Sequence, residues 1–442
     1  MWAFESVFYQ IYPLGFCGAP PVNDSTLSPR ILKVLDWIPH IQRLGANAIY
    51  FSPVWESDSH GYDTRDYGRL DVRLGTNEDF AVVCQKLHES GIRIVLDGVF
   101  NHVGRGFWAF QDVLRNREKS AYRDWFCIDF HGNNGYNDGL WYEGWEGHFE
   151  LVKLNLRNEA VIHHILEAVG RWIQEFHIDG LRLDVAYSLD RDFIKRLRKF
   201  CDEQKGDFFL VGEMLHGDYN QLVNDEMLHS VTNYECYKGL YSSFNSMNLF
   251  EIAHSLLRQF GPENWTLYKG KHLFNFVDNH DVSRIASILR QKEHLPLIYG
   301  LLFSMPGIPC VYYGSEWGAV GEKQGHSDAA LRPSFEEALE TDLTERIGAY
   351  AKAHRGSRAL CYGDFTKLLL TNEQLIFQRE FDRERIIVAV NAAPTAYQAH
   401  FDARAGRAVD ILTDAVHDFG GGSELAPYSI RYWKIFDKND EQ

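Results

Sequence analysis

The sequence predicts an α/β fold: a (β/α)8 TIM barrel with a short inserted region after its third strand and a C-terminal antiparallel β-sandwich. Three observations predict this fold. Short apolar runs alternate with segments of helical spacing from the first residues onward, as in the βα units of a parallel sheet. Eight such units fit before about residue 313. Beyond about residue 356 the pattern changes to short runs of period two, separated by turns.

The predicted barrel strands are short apolar runs bounded by glycine or polar residues, which is typical of buried parallel strands. They lie at 7–12, 48–51, 92–100, 180–184, 208–213, 230–233, 273–277 and 308–313. Apolar residues at helical spacing predict the helices. These lie at 31–44, 77–90, 159–176, 191–204, 249–260, 295–304 and 343–354. The barrel is therefore predicted over residues 1–355, including an inserted region at 101–155 that we expect to be irregular.

The second predicted domain covers residues 356–442. Its strands are predicted at 367–370, 375–379, 385–391, 408–411 and 429–436. Successive residues of a strand face opposite sides, so each run presents one apolar face to a core. No helical period interrupts these runs, and we therefore predict a small antiparallel β-sandwich.

Composition excludes several classes of protein. The chain has 442 residues and a net charge of −16, which argues against a nucleic-acid partner and against attachment to anionic lipid. No run approaches the ~20 apolar residues of a membrane span, and no signal-peptide pattern opens the chain. The seven scattered cysteines form no C-x-x-C pair, which disfavours a disulfide framework or a structural zinc site. We therefore predict a cytoplasmic protein.

Three acidic residues end separate predicted strands. Asp184 ends the fourth strand, Glu213 ends the fifth, and Asp281 follows the seventh. The carboxyl ends of barrel strands meet at one mouth, where enzymes of this architecture carry out their chemistry. Two or three carboxylates around one substrate are what glycoside hydrolysis requires.

The strings around these acids, in their order, resemble the signature blocks of the α-amylase family of glycoside hydrolases. The four principal blocks are DGVFNH at 97–102, GLRLD at 180–184, GE at 212–213 and VDNHD at 277–281. Further matches are YQIYP at 9–13, GYD at 61–63, LVKLN at 151–155 and GIPCVYYGSE at 307–316. The motifs are most similar to the cyclomaltodextrinase and neopullulanase branch. The chain begins at the first barrel strand, so we expect it to lack the N-terminal β domain usual in that branch.

The resemblance implies a role for each acid. Asp184 is then the nucleophile that forms a covalent glycosyl-enzyme, and Glu213 is the general acid and later the base. Asp281 holds substrate hydroxyls and stabilises the distorted, positively charged state, and the configuration is retained. Arg182 lies two residues before the nucleophile, on the same strand face, where a guanidinium keeps that carboxylate ionised. A structural ion pair is the alternative reading of Arg182, and both can hold.

The resemblance also implies sugar-binding residues. His102 and His280 correspond to histidines that hydrogen-bond the sugar at the point of cleavage. Tyr62, with His60 beside it, corresponds to a stacking platform. Asp328 and Arg332, four residues apart, fit a pair that grips the same sugar, although a surface ion pair is the alternative.

Two positions depart from the family pattern. Many α-amylases carry Lys-His just after the nucleophile block, where this chain has Tyr187 and Ser188. The carbonyl of that histidine usually helps to bind calcium. Asn101 persists as a possible ligand, but no D-x-N-x-D-G loop is present near the N-terminus. We therefore expect no metal and no cofactor, with structural calcium doubtful.

The implied function is hydrolysis of α-1,4 bonds in maltooligosaccharides or cyclodextrins. The alternative is a transglycosylase or sugar isomerase of the same family, because acceptor choice lies in loops and not in the acids. A non-enzymatic relative is disfavoured because all three acids are present. The expected partner is an α-glucan oligosaccharide, with no nucleic acid and no membrane, and the oligomeric state is left open.

The inserted region is rich in aromatic residues: Trp108, Trp125, Trp141, Tyr142 and Trp145. Such residues either form a small core of their own or serve as sugar platforms. For Trp141, Tyr142 and Trp145 we predict platforms, because the glycines that flank them leave little side-chain bulk for a core. Such walls would narrow the cleft and favour short or cyclic substrates over starch.

Overall fold

Eight parallel strands form the closed barrel of this computed structural model, which describes residues 1–325 and 327–436. In chain order the strands are Phe8–Ile11, Ala48–Phe51, Arg93–Gly98, Gly180–Leu183, Phe209–Gly212, Ser230–Val231, Phe274–Phe276 and Ile308–Tyr312. Every hydrogen-bonded pair of neighbours is parallel. A parallel bridge between Thr232 and Phe274 joins the sixth and seventh strands and closes the ring. The predicted barrel is confirmed.

The α-helices agree with the prediction in most places. They are Pro13–Phe16, Lys33–Arg43, Asn77–Glu89, Trp108–Asn116, Glu159–Phe176, Arg191–Gln204, Tyr234–Ser246, Phe250–Phe260, Ile285–Ile288, Leu295–Ser304, Asp342–Arg355 and Arg358–Tyr362. The helix Tyr234–Ser246 lies where none is predicted. Its buried face includes Gly239 and Ser243 beside Leu240, and these small residues weaken the apolar period that would announce a helix.

The inserted region is more regular than predicted. Strands His102–Gly104, Gly144–Trp145 and His148–Lys153 form an antiparallel sheet, and Ile128–Asp129 pairs with Trp141–Tyr142. The helix Trp108–Asn116 lies between the first of these strands and the rest. Apart from His148–Lys153, these strands are only two or three residues long, too short for period two to be detectable, and for this reason the sequence alone predicts an irregular region. A further hairpin, Trp55–Ser57 with Thr64–Leu70, follows the second barrel strand.

The C-terminal segment is the predicted antiparallel β structure. Six strands form one sheet, Asp364–Leu370, Gln374–Phe381, Glu384–Asn391, Arg407–Asp410, Ala415–Asp418 and Ser429–Ile435. Strands Tyr397–Ala399 and Ser423–Leu425 form a second layer, and Ile387 and Trp433 pack between the layers with Leu425. The predicted division at residues 355 and 356 stays a prediction, and residues 437–442 of the predicted domain lie outside the described residues.

The barrel interior changes from apolar to polar along the strands. Phe8, Val95 and Phe209 fill the lower layer, which the N-terminal turn Trp2–Glu5 covers from below. Two residues further along the first and third strands, the side chains on the same face are polar, because alternate residues of a strand share a face. Gln10 and Asp97 belong to this upper layer. No helix among the described residues is long and apolar enough to cross a membrane.

Candidate active site

Arg182 stands at the centre of the upper layer. Its Nη1 donates to both carboxylate oxygens of Asp97, at 3.0 and 3.1 Å, and to Oδ1 of Asp184 at 2.8 Å. Its Nη2 lies 3.0 Å from Oε1 of Glu213. All four side chains are buried. Strand register causes this convergence, because Arg182 pairs directly with Asp97 across two parallel strands.

Three carboxylates therefore share one guanidinium in a buried space. Burial raises the pKa of Asp184 well above its ordinary value, and although Arg182 opposes this shift, the charges of Glu213 and Asp97 add to it. Burial likewise raises the pKa of Glu213, and Arg182 again counteracts it. The cluster has more negative charge than its one cation balances, which favours retention of a proton.

A strained turn brings Glu213 to Asp184. Val185 adopts φ +40°, in the left-handed region that a β-branched residue rarely enters. In this conformation its backbone N–H donates to Oε2 of Glu213 at 2.9 Å. Val185, the residue after Asp184, thus fixes the carboxyl of Glu213 at the end of the fifth barrel strand.

His280 lies between two tyrosine rings. Tyr62 stacks on it with ring centres 5.6 Å apart, and Tyr12 lies on the other side at 6.0 Å. Gln10 donates to its Nδ1 at 2.8 Å, so the ring proton resides on Nε2, which faces the Tyr62 hydroxyl and Oδ2 of Asp281. Burial lowers the pKa of His280 to about 3, and the ring is neutral.

His102 presents a free hydrogen-bond donor to the cleft. Asn101 donates to its Nδ1 at 3.1 Å, which leaves the proton on Nε2. That nitrogen has no hydrogen-bond partner within the described part of the chain and lies 3.8 Å from Oδ2 of Asp184. Burial lowers the pKa of His102 to about 3. A buried, unpaired donor beside a carboxylate suits a substrate hydroxyl.

Arg332 connects Asp328 to Asp281. Its Nη2 donates to both carboxylates at 3.0 Å, and its Nε donates to the carbonyl oxygen of His280 at 3.0 Å. Burial opposes ionisation of Asp281, but His280 and Arg332 outweigh it and lower the pKa of Asp281. The pair Asp328–Arg332 borders the cleft, which favours the sugar-gripping role over a surface ion pair, and that role stays a prediction.

A cleft of about 770 Å³ opens above these groups. The predicted residues that border it are His60, Tyr62, His102, Asp184, Glu213, Asp281, Asp328 and Arg332. Arg182 and His280 lie directly behind them. Sequence reasoning assigned no binding role to Tyr187, Leu215, Tyr234, Val282 and Lys323, which also border the cleft. These residues lie in loops or on the unpredicted helix, and no strand end or periodic pattern marks them.

Of the three aromatic residues predicted as sugar platforms, one borders the cleft and two do not. Trp145 borders the cleft, with its ring centre 5.8 Å from that of His102. Tyr142 is buried, packs on Phe110 and donates its hydroxyl proton to the carbonyl of Phe149, so its predicted platform role is wrong. Trp141 is 41% exposed but does not border the cleft. Adjacent strand residues face opposite sides, so these neighbours cannot share one role.

Comparison with known proteins agrees with this geometry. The protein family described as "Alpha amylase, catalytic domain" matches residues 10–353. The chain is 30% identical over 426 residues to the cyclomaltodextrinase of Thermoanaerobacter pseudethanolicus. The alignment covers 88% of this chain and 70% of that enzyme. It is 32% identical over 341 residues to the intracellular maltogenic amylase of Bacillus subtilis. That alignment covers 73% of this chain and 57% of that enzyme.

Solved structures give the same answer. The ligand-free cyclic alpha-maltosyl-(1→6)-maltose hydrolase from Arthrobacter globiformis superposes with a TM-score of 0.82 at 28% identity, over 98% of this chain and 100% of that one. The barrel, the clustered acids and these similarities agree, and the chain belongs to the alpha-amylase family and is a glycoside hydrolase.

Proposed function

We propose that this glycoside hydrolase cleaves α-1,4 bonds in maltooligosaccharides or cyclodextrins by double displacement with retention of configuration. The observation that carries the proposal is the buried trio of Asp184, Glu213 and Asp97 around Arg182 at the floor of the cleft. Its similarity to a cyclomaltodextrinase and to a maltogenic amylase supports this substrate class.

Asp184 is the nucleophile in this proposal. It accepts a hydrogen bond of 2.8 Å from Arg182, and a charge-assisted bond of this length favours the ionised form. The ionised oxygen attacks the anomeric carbon, and the bond to the leaving oxygen breaks. The glycosyl-enzyme ester that results is later hydrolysed by water.

Glu213 carries the proton of the cluster. The carboxylate of Glu213 lies within ion-pair distance of Nη2 of Arg182 but accepts no hydrogen bond from it, whereas Asp184 is both ion-paired and hydrogen-bonded to Arg182. The guanidinium therefore stabilises the ionised form of Asp184 more strongly, and the shared proton is better placed on Glu213. Burial and the nearby charge of Asp281 favour the protonated form in the same way. Glu213 gives this proton to the leaving oxygen and then removes one from the attacking water.

The remaining groups bind and orient the sugar. His102 offers a free Nε2–H, and Asp328 with Arg332 offers paired acceptors and donors. Asp281 stays ionised and stabilises the positive charge that develops at the sugar ring. Tyr62 and His280 support the same sugar from one side of the cleft.

We further propose a cytoplasmic location. The similar maltogenic amylase of Bacillus subtilis is an intracellular enzyme, and all seven cysteines of this chain are free thiols, six of them buried. Free thiols persist in a reducing compartment.

Product analysis over time tests the proposed reaction. The purified enzyme is incubated with maltoheptaose, β-cyclodextrin, pullulan and soluble starch, and products are separated by chain length while reducing ends are counted. We expect shorter maltooligosaccharides with a matching rise in reducing ends, with the α-anomer formed first. Redistribution of chain lengths without new reducing ends would assign the transglycosylase alternative instead.

A further inference from the structure

Arg379 is a buried cation that lacks a counter-charge among the described residues. It lies on the strand Gln374–Phe381 of the C-terminal sheet, and only 1% of its surface is exposed. No carboxylate of a described residue forms an ion pair or a hydrogen bond with its guanidinium. A charge removed from water is costly unless an opposite charge compensates it. An anion taken up from solution would supply that compensation.

Backbone carbonyl groups hold the guanidinium in place. Nε and Nη2 donate to the carbonyl oxygen of Gly363 at 3.2 and 2.9 Å, and Nη1 donates to that of Ser304 at 2.6 Å. Because each terminal nitrogen of a guanidinium carries two N–H groups, one N–H on each has no acceptor among the described residues. Ser304 ends the barrel helix Leu295–Ser304, so Arg379 joins the C-terminal sheet to the barrel.

A small cavity lies against this guanidinium. Its volume is about 30 Å³, and Phe260, Pro306 and Cys361 are among the residues that line it. A buried water needs roughly 10–15 Å³ of such space, so the cavity holds one monatomic ion or two waters and excludes a phosphate. Gly307 also lines it, directly before the eighth barrel strand, which places the cavity at the end of the barrel opposite the catalytic cleft.

The charges around the cavity favour an anion. Lys269 and Lys271 line it together with the guanidinium, whereas its one lining carboxylate, that of Asp364, is exposed to water. The thiol of Cys361 adds no negative charge, because burial raises the pKa of that thiol to about 12. Burial lowers the pKa of His272 to about 4, so that ring is neutral. The lining is therefore positive, within a chain whose net charge is −16.

Water alone does not compensate the charge. Two waters would accept the unused N–H groups but would leave the guanidinium without a counter-ion. Burial lowers the pKa of Arg379 to about 9, so the group still carries its charge at neutral pH. One anion satisfies both the N–H groups and the charge, and hydrogen bonds between charged partners are the stronger ones.

We propose that a chloride ion binds in this cavity, where it accepts hydrogen bonds from both terminal nitrogens of Arg379 and pairs with its charge. The bound ion stabilises the junction between the barrel and the C-terminal sheet, because it offsets the cost of burying the guanidinium there. Chloride then raises the stability of the folded chain by mass action and leaves the catalytic cleft, at the other end of the barrel, untouched.

Thermal unfolding of the full chain tests the site. Tm is measured in sodium gluconate, whose anion is too large for the cavity, and during its replacement by NaCl or NaBr at constant ionic strength. We expect a saturable rise in Tm of about 2 °C or more in the parent, and none in Arg379→Met, which keeps the length of the side chain but not its charge. Arg198→Met, which removes a mostly buried arginine paired with Asp202, is the matched control and retains the rise.

A crystal grown in NaBr gives a second measurement that does not depend on any variant. Anomalous scattering should show one bromide beside the guanidinium of Arg379. Water alone in the cavity would overturn the proposal, as would a parent Tm that does not respond to halide or a response that Arg379→Met retains. None of these outcomes bears on the cleavage of α-1,4 bonds, which product analysis decides separately.

Discussion

The barrel mouth and the inserted region face the same cleft but are built in opposite ways. At the mouth, Asp184 and Glu213 are buried at strand ends, and Arg182 holds them at distances fixed by strand register. In the inserted region, Glu150 reaches the cleft half exposed, with His148 as its hydrogen-bond partner. In the proposed reaction, the chemistry rests on rigid strand ends, and the choice of substrate rests on loops that can vary without disturbing it.

The largest effect is expected at the mouth. Asp184→Asn and Glu213→Gln should each lower kcat by about 10³-fold or more, since each removes a group that acts in the transition state. A substrate with a good leaving group should partly rescue Glu213→Gln, because protonation of the leaving oxygen then matters less. It should not rescue Asp184→Asn. Steady-state kinetics on maltoheptaose measure the loss of kcat, and those on an aryl maltoside measure the rescue. Rescue of Asp184→Asn but not of Glu213→Gln would exchange the roles of nucleophile and general acid.

The same contrast explains what the sequence could predict. Strand ends are marked by an apolar run followed by a polar residue, so local pattern is enough to predict Asp184 and the barrel around it. Arg182 followed from its place two residues away on the same face. Its bonds to Asp97 follow only from the register of two strands distant in sequence. For this reason the sequence alone relates the guanidinium of Arg182 only to Asp184.

In the inserted region local pattern was insufficient. Trp141 and Tyr142 are adjacent, and which of the two faces inward is decided by the pairing with Ile128–Asp129. Short-range sequence does not encode that pairing. Lys323 donates to the carbonyl of Asp281 at 3.1 Å, yet a single lysine in a loop gives no signal. These residues needed the tertiary structure.

A second prediction sharpens the comparison within the inserted region. Trp145→Ala should raise KM for maltoheptaose by about three- to tenfold with little change in kcat, because an aromatic wall of the cleft is lost. Trp141→Ala removes an identical side chain that does not border the cleft and should leave KM unchanged. Similar effects of the two variants would show that the region acts as one platform, as the sequence alone predicted.

The third prediction concerns the acid stability of the mouth. The folded pKa of His280 is about 3, and an unfolded imidazole titrates near ~6.5. Between these values the unfolded chain binds one more proton, so the free energy of unfolding falls as pH falls, by up to about 1.4 kcal/mol per pH unit. His280→Asn should reduce this slope by that amount in urea titrations between pH 4 and 6.

His163 supplies the matched control, because its side chain is largely in water. His163→Asn should leave the slope of the free energy of unfolding against pH unchanged. A slope that His280→Asn does not alter would mean that this histidine is charged in the folded protein, and that its Nε2–H is not the neutral donor inferred above.

The smallest effect on Tm and kcat is expected from removal of calcium, which would bind where the inserted region meets the barrel mouth. Ser188 stands where the family usually has a calcium-binding histidine, and the described residues contain no group of three or more His, Cys, Asp or Glu side chains that could hold a metal ion. A bound ion would stabilise the folded state in proportion to the logarithm of its concentration over its Kd. We expect EDTA to leave Tm within about 1 °C and kcat unchanged. A larger drop in Tm that Ca²⁺ reverses and Mg²⁺ does not would show that the inserted region is tied to the barrel by a metal ion, and that it is less free to vary than the contrast with the mouth implies.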